Sequence, residues 1–461
     1  MESETIAAIA TPLGNAGIGI IRVSGGDAVR IVDQVFINGK NKHILKNMKS
    51  HTIHYGFIID EDKNVIDEVM VSYMKAPNSF TAEDTVEINC HGGILVMNRI
   101  LELVIKNGAR LATPGEFTKR AFLNGRIDLT KAEAVMDIIS SKNKAALKNS
   151  ISQLQGSVYE KIKSLRDEII YEIAFIESAL DDPEHISLDG YSEKLMDKIT
   201  FLCKDVSTLL SRSENGRIIK EGINVVIIGK PNVGKSSLLN RLLGQDKAIV
   251  TDIAGTTRDI IEEDIRLDEI NLHIIDTAGI RPTEDIIEKI GVSKSIEYAS
   301  LADLIVYVMD SSIPLDENDM KIIEMIKDKK CIILFNKSDL ETQFSIEDLK
   351  DIIGQNTVVI KTSTKENIGI KEFLDQIKEM FFKGDIISDD EMIITNIRHK
   401  EAFLETYDSL TKIIDSLNMG LPEDFYSIDL LNAYNSLGRI IGEQIEDDLV
   451  NEIFSKFCMG K

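Results

Sequence analysis

The stretch Gly229-Lys-Pro-Asn-Val-Gly-Lys-Ser236 decides the fold of the central part of this chain. It follows the apolar run Ile223–Ile228 and leads into the amphipathic run Ser237–Leu243, which predicts a strand, a glycine-rich turn and a helix. The turn matches G-x-x-x-x-G-K-[ST], whose backbone N–H groups and following helix N-terminus hold phosphate. Lys235 is expected to reach the β- and γ-phosphates, and the Ser236 hydroxyl to bind Mg²⁺. The alternative is an ordinary glycine-rich turn between a strand and a helix.

A second motif, Asn336-Lys-Ser-Asp339, follows the apolar strand pattern Cys331–Phe335 and indicates which base the nucleotide carries. A carboxylate at Asp339 can accept hydrogen bonds from N1–H and the exocyclic amine of guanine, two adjacent donors that adenine lacks. Lys337 is expected to lie along the base plane, and Asn336 to tie the loops together. The motif therefore selects GTP over ATP.

Three further elements complete the nucleotide site: Asp276–Gly279 at the end of an apolar strand pattern, Gly255–Asp259 in a polar loop, and Thr362–Lys365, which follows the strand pattern Thr357–Lys361 and can back the guanine. Asp276 is expected to hold the Mg²⁺ shell through water, the Gly279 N–H to approach the γ-phosphate, and Thr257 to supply a second hydroxyl to Mg²⁺. The order of the elements predicts a GTPase domain with a mostly parallel sheet. The predicted GTP contacts are Asn232, Val233, Gly234, Lys235, Ser236, Ser237, Thr251, Asp252, Ile253, Ala254, Gly255, Thr256, Thr257, Asp276, Thr277, Ala278, Gly279, Asn336, Lys337, Asp339, Ser363 and Thr364.

The residue that would orient the attacking water is left open by these motifs. Many GTPases place Gln after Asp-x-x-Gly, whereas this chain has Ile280, which has no polar group to hold water. Either hydrolysis is slow or another residue takes the role. The nearby acids Glu284, Asp285 and Glu288 are candidates among which sequence physics does not choose.

Composition limits the classes of protein to consider. The chain has 461 residues, enough for about three domains, and a formal net charge of −23. This charge disfavours a general nucleic-acid coat, so any RNA contact is expected to be local. The four cysteines form no C-x-x-C, which argues against a zinc site and for a reducing compartment. Without a basic leader or a long apolar run, a cytoplasmic protein with no membrane contact is expected.

The nucleotide domain is flanked by different patterns. Apolar residues three or four apart predict one long helix over 147–180, and the same rhythm returns over 403–417. We therefore predict a helical bundle in two parts, 121–215 and 385–461, interrupted by an inserted GTPase domain over 216–384; two unrelated helical segments are the alternative. Residues 1–120 are predicted to form an α+β domain with one helix, from about Gly93 to Lys106. Arg22 and Glu87 occupy strand-like positions there, where a charged residue is commonly half-exposed.

The chain as a whole resembles the MnmE (TrmE) family of tRNA modification GTPases. The resemblance covers nearly all residues, and its marks are Thr5–Pro12, Ser79–Asp84, Pro114–Phe117, Arg120–Asn124, Asn232 inside the phosphate loop, Gly255–Asp259 and the ending Phe457–Lys461. It implies that the chain works with a flavin-dependent partner, MnmG (GidA), to add carboxymethylaminomethyl to carbon 5 of the wobble uridine of certain tRNAs. It also implies a homodimer and a tetrahydrofolate derivative, 5-formyl- or methylene-tetrahydrofolate, bound by the N-terminal domain.

The resemblance further implies roles for individual residues. Folate contacts fall on Arg22, Glu87, Arg126 and Lys461, and Mg²⁺ ligands on Ser236 and Thr257. Potassium falls on Asn232, on the backbone of Thr251 and Ile253, and on Thr256. The water-orienting acid falls on Glu288, so that the predicted catalytic residues are Glu288, Asn232, Lys235 and Gly279. Cys458 has a suspected chemical role in the family, although from the sequence alone it is more simply a structural or idle thiol.

Two other classes of function are the alternatives to this one. A GTPase switch in ribosome or RNA particle assembly would lack the folate residues, so folate binding separates it. A dynamin-like assembly protein would need a membrane-binding apolar or basic face, which the sequence does not contain.

Overall fold

The computed structural model describes residues 4–39, 41–42, 45–243, 261–267, 270–276, 302–349, 352–354, 357–381, 393–443 and 447–461. The chain divides into two compact units. The first comprises Met1–Ile139, Ser152–Asp197 and Asp408–Lys461, and the second comprises Ser140–Ile151 and Lys198–Tyr407. The second unit includes the whole segment predicted as the GTPase domain. The four predicted domain ranges stay predictions.

The first unit contains an eight-stranded sheet with helices packed against it. Its strands are β1 (Ile6–Ile9), β2 (Ala16–Ser24), β3 (Phe36–Asn38), β4 (Asn41–Lys42), β5 (Thr52–Ile59), β6 (Val65–Met74), β7 (Thr85–Gly92) and β8 (Arg110–Leu111). Their order is β4-β3-β5-β6-β7-β2-β1-β8, and only the β1–β8 pair is parallel among these described strands. Alternate strand residues such as Ile21, Val71 and Ile88 point into one core with helices α1 (Ala28–Val35) and α2 (Ile94–Lys106).

The α+β class predicted for this region agrees with the structure, and the helix predicted from about Gly93 to Lys106 is confirmed, but the prediction of one helix in this region is wrong. Helix α2 was predicted, whereas α1 and α3 (Glu116–Leu123) were missed. Both missed helices are eight residues long, about two turns, and too short to show a clear helical period.

The long helix predicted over 147–180 is also wrong, because the structure divides it at Gly156. Helix α5 (Lys144–Gln155) ends there and α6 (Ser157–Asp181) begins, with Gly156 at φ +104°. The apolar period continues across the break, but a glycine in left-handed backbone interrupts the helical hydrogen bonds. The remaining helices of the flanking segments are α4 (Leu129–Ser140), α7 (Tyr191–Glu221), α11 (Ile397–Asn418), α12 (Glu423–Ile441) and α13 (Asp447–Ser455).

The second unit contains a mostly parallel sheet. Its strands are β9 (Ile223–Ile228), β10 (Ile261–Leu267), β11 (Ile270–Asp276), β12 (Leu304–Asp310), β13 (Cys331–Asn336) and β14 (Thr357–Lys361), in the order β10-β11-β9-β12-β13-β14. Only β10 runs antiparallel among these described strands. Helices α8 (Lys235–Leu243), α9 (Glu317–Ile326) and α10 (Ile370–Phe381) complete the described elements of this P-loop GTPase-like fold.

Both faces of this second sheet are covered. Val225 and Ile227 belong to one core cluster, whereas their neighbours Val226 and Ile228 belong to another. This double burial explains the continuous apolar runs in the sequence. The carboxyl ends of the parallel strands meet at one edge, where ligands bind in folds of this kind. Within the described residues, no helix combines the length and apolar character needed to cross a membrane.

Candidate functional sites

The phosphate loop, Gly229–Ser236, lies at the carboxyl end of β9, and three of its residues have left-handed backbone. Gly229 has φ +150°, Asn232 +64° and Gly234 +109°. A Cβ on Gly229 would lie 2.4 Å from the Val308 carbonyl oxygen, and one on Gly234 would lie 2.3 Å from Asn336 Nδ2. Both positions therefore require glycine, for reasons of space as well as of dihedral angle.

The first turn of α8 carries the predicted phosphate and Mg²⁺ groups. Lys235 Nζ donates to the carbonyl oxygens of Gly229 and Lys230, each at 2.7 Å, so its ammonium lies over the phosphate loop. Ser236 and Ser237 follow it on the helix, whose N-terminus favours an anion.

Asn336 connects the phosphate loop to the loop that follows β14. Its side chain is almost fully buried; Nδ2 donates to the Val233 carbonyl oxygen at 2.7 Å, and Oδ1 accepts from the Thr364 N–H at 3.1 Å. Arg241 on α8 supports the same loop by donating to the carbonyl oxygens of Thr364 and Lys365, at 3.0 and 2.9 Å. The sequence analysis missed Arg241, because it belongs to no motif and only the packing of α8 brings it there.

The segment predicted to select the base, Asn336–Asp339, is named here the base-selecting loop and lies at the end of β13. Asp339 Oδ1 accepts from the Ser363 hydroxyl at 2.6 Å, and this hydrogen bond keeps the pKa of Asp339 below its ordinary value. Lys337, at φ +61°, places Nζ 2.5 Å from Asp310 Oδ2 at the end of β12. Burial raises the pKa of Asp310, but hydrogen bonds from Lys337 and Ser312 outweigh it and leave that pKa below its usual range. The Asp339 carboxylate, the Lys337 ammonium and the Ser363 hydroxyl thus lie at one edge of the sheet.

Several predicted residues lie outside the described residues: Thr251, Asp252, Ile253, Ala254, Gly255, Thr256, Thr257, Thr277, Ala278, Gly279, Ile280, Glu284, Asp285 and Glu288. Asp276 ends β11, where its backbone lies opposite Ile227 and Ile261. In the described ranges, no group of three or more His, Cys, Asp and Glu side chains could hold a metal ion. The predicted Mg²⁺ and K⁺ ligands are instead hydroxyl, amide and carbonyl groups.

A second polar site lies in the first unit, around Arg22. Arg22 on β2 and Glu87 on β7 are directly opposite in the antiparallel register, and Arg22 Nε donates to Glu87 Oε1 at 2.8 Å. Arg22 Nη1 also donates to the Gly460 carbonyl oxygen at 3.1 Å. Its guanidinium lies 5.6 Å from the ring centre of Phe117 and 5.9 Å from that of Phe80.

The carboxy-terminal segment reaches this site through backbone contacts. Gly460 has φ +83°, and a Cβ there would lie 2.4 Å from the Ile9 carbonyl oxygen. The Phe117 N–H donates to the Lys461 carbonyl oxygen at 3.2 Å. Burial, and then the charge of Arg22, lower the pKa of Lys461, while the charge of Glu87 opposes this. The Lys461 ammonium therefore shares the electrostatic environment of the Arg22–Glu87 pair.

Arg126 lies beside Phe80, and Cys458 belongs to the carboxy-terminal segment itself. The Arg126 guanidinium is 5.2 Å from the Phe80 ring centre, and its Nη1 donates to the Phe80 carbonyl oxygen at 3.0 Å. The structure thus brings together the four residues predicted to bind folate. Cys458 is exposed and not in a disulfide, and its carbonyl oxygen accepts from the Gly115 N–H at 3.4 Å.

A partly buried charge network supports the helix that carries Phe117. Arg110 donates to both carboxylate oxygens of Glu116, at 2.6 and 3.1 Å, and Arg120 Nη2 donates to Glu116 Oε1 at 3.0 Å. Arg120 also donates to Glu83 at 3.0 Å. Burial raises the pKa of Glu116, but the arginines and the Thr113 N–H together lower it to about 2.

Family models match most of the chain. The model described as "GTP-binding protein TrmE N-terminus" matches residues 5–126, and that described as "MnmE helical domain" matches residues 129–458. A curated relative named tRNA modification GTPase MnmE, from Lachnoclostridium phytofermentans, is 55% identical over 100% of both chains. One of the same name from Acetivibrio thermocellus is 49% identical, also over 100% of both chains.

A solved structure also resembles part of the chain. The G domain of the T. maritima FeoB iron transporter aligns with 34% of this chain and 98% of that chain, at 27% identity and a TM-score of 0.27. This TM-score is too low to carry an argument, whereas the full-length relatives establish the family. The chain therefore belongs to the MnmE family of tRNA modification GTPases.

Proposed function

We propose that this chain hydrolyses GTP and, with the flavin-dependent partner MnmG (GidA), adds carboxymethylaminomethyl to carbon 5 of the wobble uridine of certain tRNAs. The observation that supports GTP hydrolysis is the pair of hydrogen bonds made by Asn336, which connect the phosphate loop to the loop that follows β14. Family membership carries the tRNA part.

Guanine is the base that this geometry favours. The Ser363 hydroxyl holds Asp339 and lowers its pKa, so the carboxylate is ionised at neutral pH. An ionised carboxylate accepts two parallel hydrogen bonds from guanine N1–H and N2–H, whereas adenine would leave it without that pair of donors.

Mg²⁺ and K⁺ are proposed at the phosphates. Ser236 and Thr257 would hold Mg²⁺, and Asn232, Thr256 and the carbonyls of Thr251 and Ile253 would hold K⁺. When bound, the cations supply positive charge to the leaving phosphate oxygens. Asn232 lies in the phosphate loop at φ +64°, a conformation that asparagine tolerates better than most residues. Family membership supports Glu288 as the residue that would orient the attacking water, a role that Ile280 cannot fill because it has no polar group.

A reduced folate, 5-formyl- or methylene-tetrahydrofolate, is proposed at the second polar site. Arg22, Arg126 and Lys461 would supply positive charge for an anionic ligand, and Glu87 can accept from the pterin amine and ring N–H. The Phe80 ring lies 5.9 Å from the Arg22 guanidinium and is partly exposed, so it offers apolar surface beside it, whereas Phe117 is fully buried beneath the site. This combination suits a flat, anionic, hydrogen-bonding ligand.

The proposed active form is a homodimer in which two GTPase domains meet, together with MnmG and tRNA. The formal net charge of −23 supports an RNA contact that is local and shared with a partner. The homodimer would close the K⁺-binding loop over the nucleotide.

Two measurements test the proposal. The first is GTP turnover at equal ionic strength, which should be faster in K⁺ than in Na⁺. Asn232→Ala should remove that difference. Glu288→Ala should slow turnover with little change in GTP affinity. Nucleoside analysis of tRNA from a deletion strain, with and without the restored gene, should show the wobble modification only when the chain is present. Equal turnover in both salts would contradict the K⁺ site, and unchanged nucleosides would contradict the tRNA role.

A further inference from the structure

Lys230, the second residue of the phosphate loop, takes part in a partly buried ionic cluster that no motif includes. Its Nζ lies 2.5 Å from Asp319 Oδ2 and 2.6 Å from Asp316 Oδ2. The Lys230 side chain is 18% exposed and that of Asp319 is 8% exposed, whereas that of Asp316 is 53% exposed. The other oxygen of Asp319 accepts from the Tyr307 hydroxyl at 2.7 Å. The cluster therefore joins the phosphate loop to α9 and to β12.

The acidic partners are themselves held by the start of α9. Asp316 is the N-cap and accepts from the N–H groups of Asn318 and Asp319, while Asp319 Oδ2 accepts from the Asp316 N–H at 3.1 Å. This reciprocal capping box holds both carboxylates in place by hydrogen bonds that do not involve Lys230. Lys230 thus binds to a preformed acceptor.

The contacts form a closed ring when they are followed through the sheet. From β12, Asp310 pairs with Lys337 at 2.5 Å, and the adjacent Asn336 donates to the Val233 carbonyl oxygen at 2.7 Å, which returns to the phosphate loop. Lys230 is the contact that closes the ring on the α9 side. The ring links the phosphate loop to the base-selecting loop by two routes.

For two physical reasons, this ring of contacts is expected to affect the conformation of the phosphate loop. Left-handed backbone at Asn232 costs free energy and persists only where surrounding contacts hold it. Removing one member of a buried ion pair leaves the partner charge uncompensated, so the loop would move to restore solvation.

We infer that Lys230 is a positioning residue for nucleotide binding, which holds the phosphate loop in its binding conformation through Asp316 and Asp319. The inference rests on the proposed GTP binding. It places Lys230 in contact with α9 and not with the nucleotide, in contrast to Lys235.

The test is the dissociation constant of a fluorescent GDP analogue for the full chain and its variants. Lys230→Met and Asp319→Asn should each raise Kd about tenfold, the size expected for a lost charged hydrogen bond. Because both substitutions remove the same ion pair, the double variant should bind the GDP analogue no more weakly than the single variant with the higher Kd. Lys230→Arg should stay within about threefold of the wild type. Lys327→Met is the matched control, since its pair with Glu324 on the same segment is exposed.

The outcomes separate the possible roles of Lys230. A lower unfolding temperature with unchanged Kd in Lys230→Met would overturn the inference, and so would a raised Kd in Lys230→Met with an unchanged one in Asp319→Asn. If Lys230→Met does not fold, Tyr307→Phe removes only one bond to Asp319 and should raise Kd about two- to fivefold; an unchanged Kd there also overturns the inference. A wild-type chain that does not bind GDP would instead contradict the proposed function.

Discussion

The nucleotide site and the polar site at Arg22 are assembled in different ways. The nucleotide site is built from short contiguous motifs, such as Gly229–Ser236 and Asn336–Asp339, which follow strands of one sheet. The site at Arg22 joins residues far apart in the chain, since Arg22 and the Gly460 carbonyl oxygen are separated by 438 positions. Local motifs determine backbone conformation, whereas the second site depends on how the carboxy-terminal segment packs on the sheet.

The largest expected effect separates the two sites completely. Lys461→Met should lower tRNA wobble modification by about 100-fold, the upper range for a lost hydrogen bond to a charged group, and leave GTP turnover within about twofold. Modification is measured by mass spectrometry of tRNA nucleosides. Lys456→Met is the control, because its pair with Glu452 is exposed. Normal modification by Lys461→Met would remove Lys461 from the proposed folate site.

The next effect is confined to the nucleotide site. Asp339→Asn should weaken GTP binding by about 10- to 100-fold and shift preference toward xanthosine triphosphate, because an amide mismatches one guanine donor. Competition between the two nucleotides measures this. Asp348→Asn, at an exposed carboxylate bonded to Ser345, should leave both affinities unchanged. GTP affinity unaltered by Asp339→Asn would refute the base-selecting role.

A stability effect with a defined pH window tests the support of the Arg22 site. The pKa of Glu116 is lowered from 4.5 to about 2, so its contribution is present above pH 4.5 and is lost as the pH falls toward 2. That difference corresponds to roughly 3 kcal/mol as an upper figure. Glu116→Gln should therefore reduce the free energy of unfolding at pH 7 by about 2 kcal/mol and flatten its fall in acid.

Urea unfolding followed by circular dichroism between pH 7 and pH 3 measures this dependence. Glu102→Gln, at an exposed pair with Arg99, should preserve the wild-type curve. Parallel curves for the wild type and Glu116→Gln would show that Glu116 does not carry the acid sensitivity.

The smallest effect distinguishes the observed helix break from the predicted continuous helix. Gly156→Ala should destabilise the protein by about 1 kcal/mol, since alanine at φ +104° is strained. A continuous helix would instead gain up to about 1 kcal/mol from the same change. The sign of the change in unfolding free energy, compared with the open position Gly26→Ala, decides between them.

The sequence predicted the strand and helix flanking the phosphate loop, and the strands before Asp339 and Ser363, because burial on both faces makes them continuously apolar. It also placed α2 and the α+β class of the first 120 residues. It failed at α1 and α3, which are too short for a clear period, and at Gly156, where apolar spacing does not reveal backbone handedness.

By itself, the sequence determined the phosphate loop, the base-selecting loop and the family, because glycine positions and contiguous polar residues act locally on the backbone. Only the tertiary structure decided that Arg22 faces Glu87 and Gly460, that Arg241 supports the loop at Thr364, and that Lys230 pairs with α9. These contacts join elements distant in sequence. Their partners are set by strand order and helix packing, which no local pattern of residues specifies.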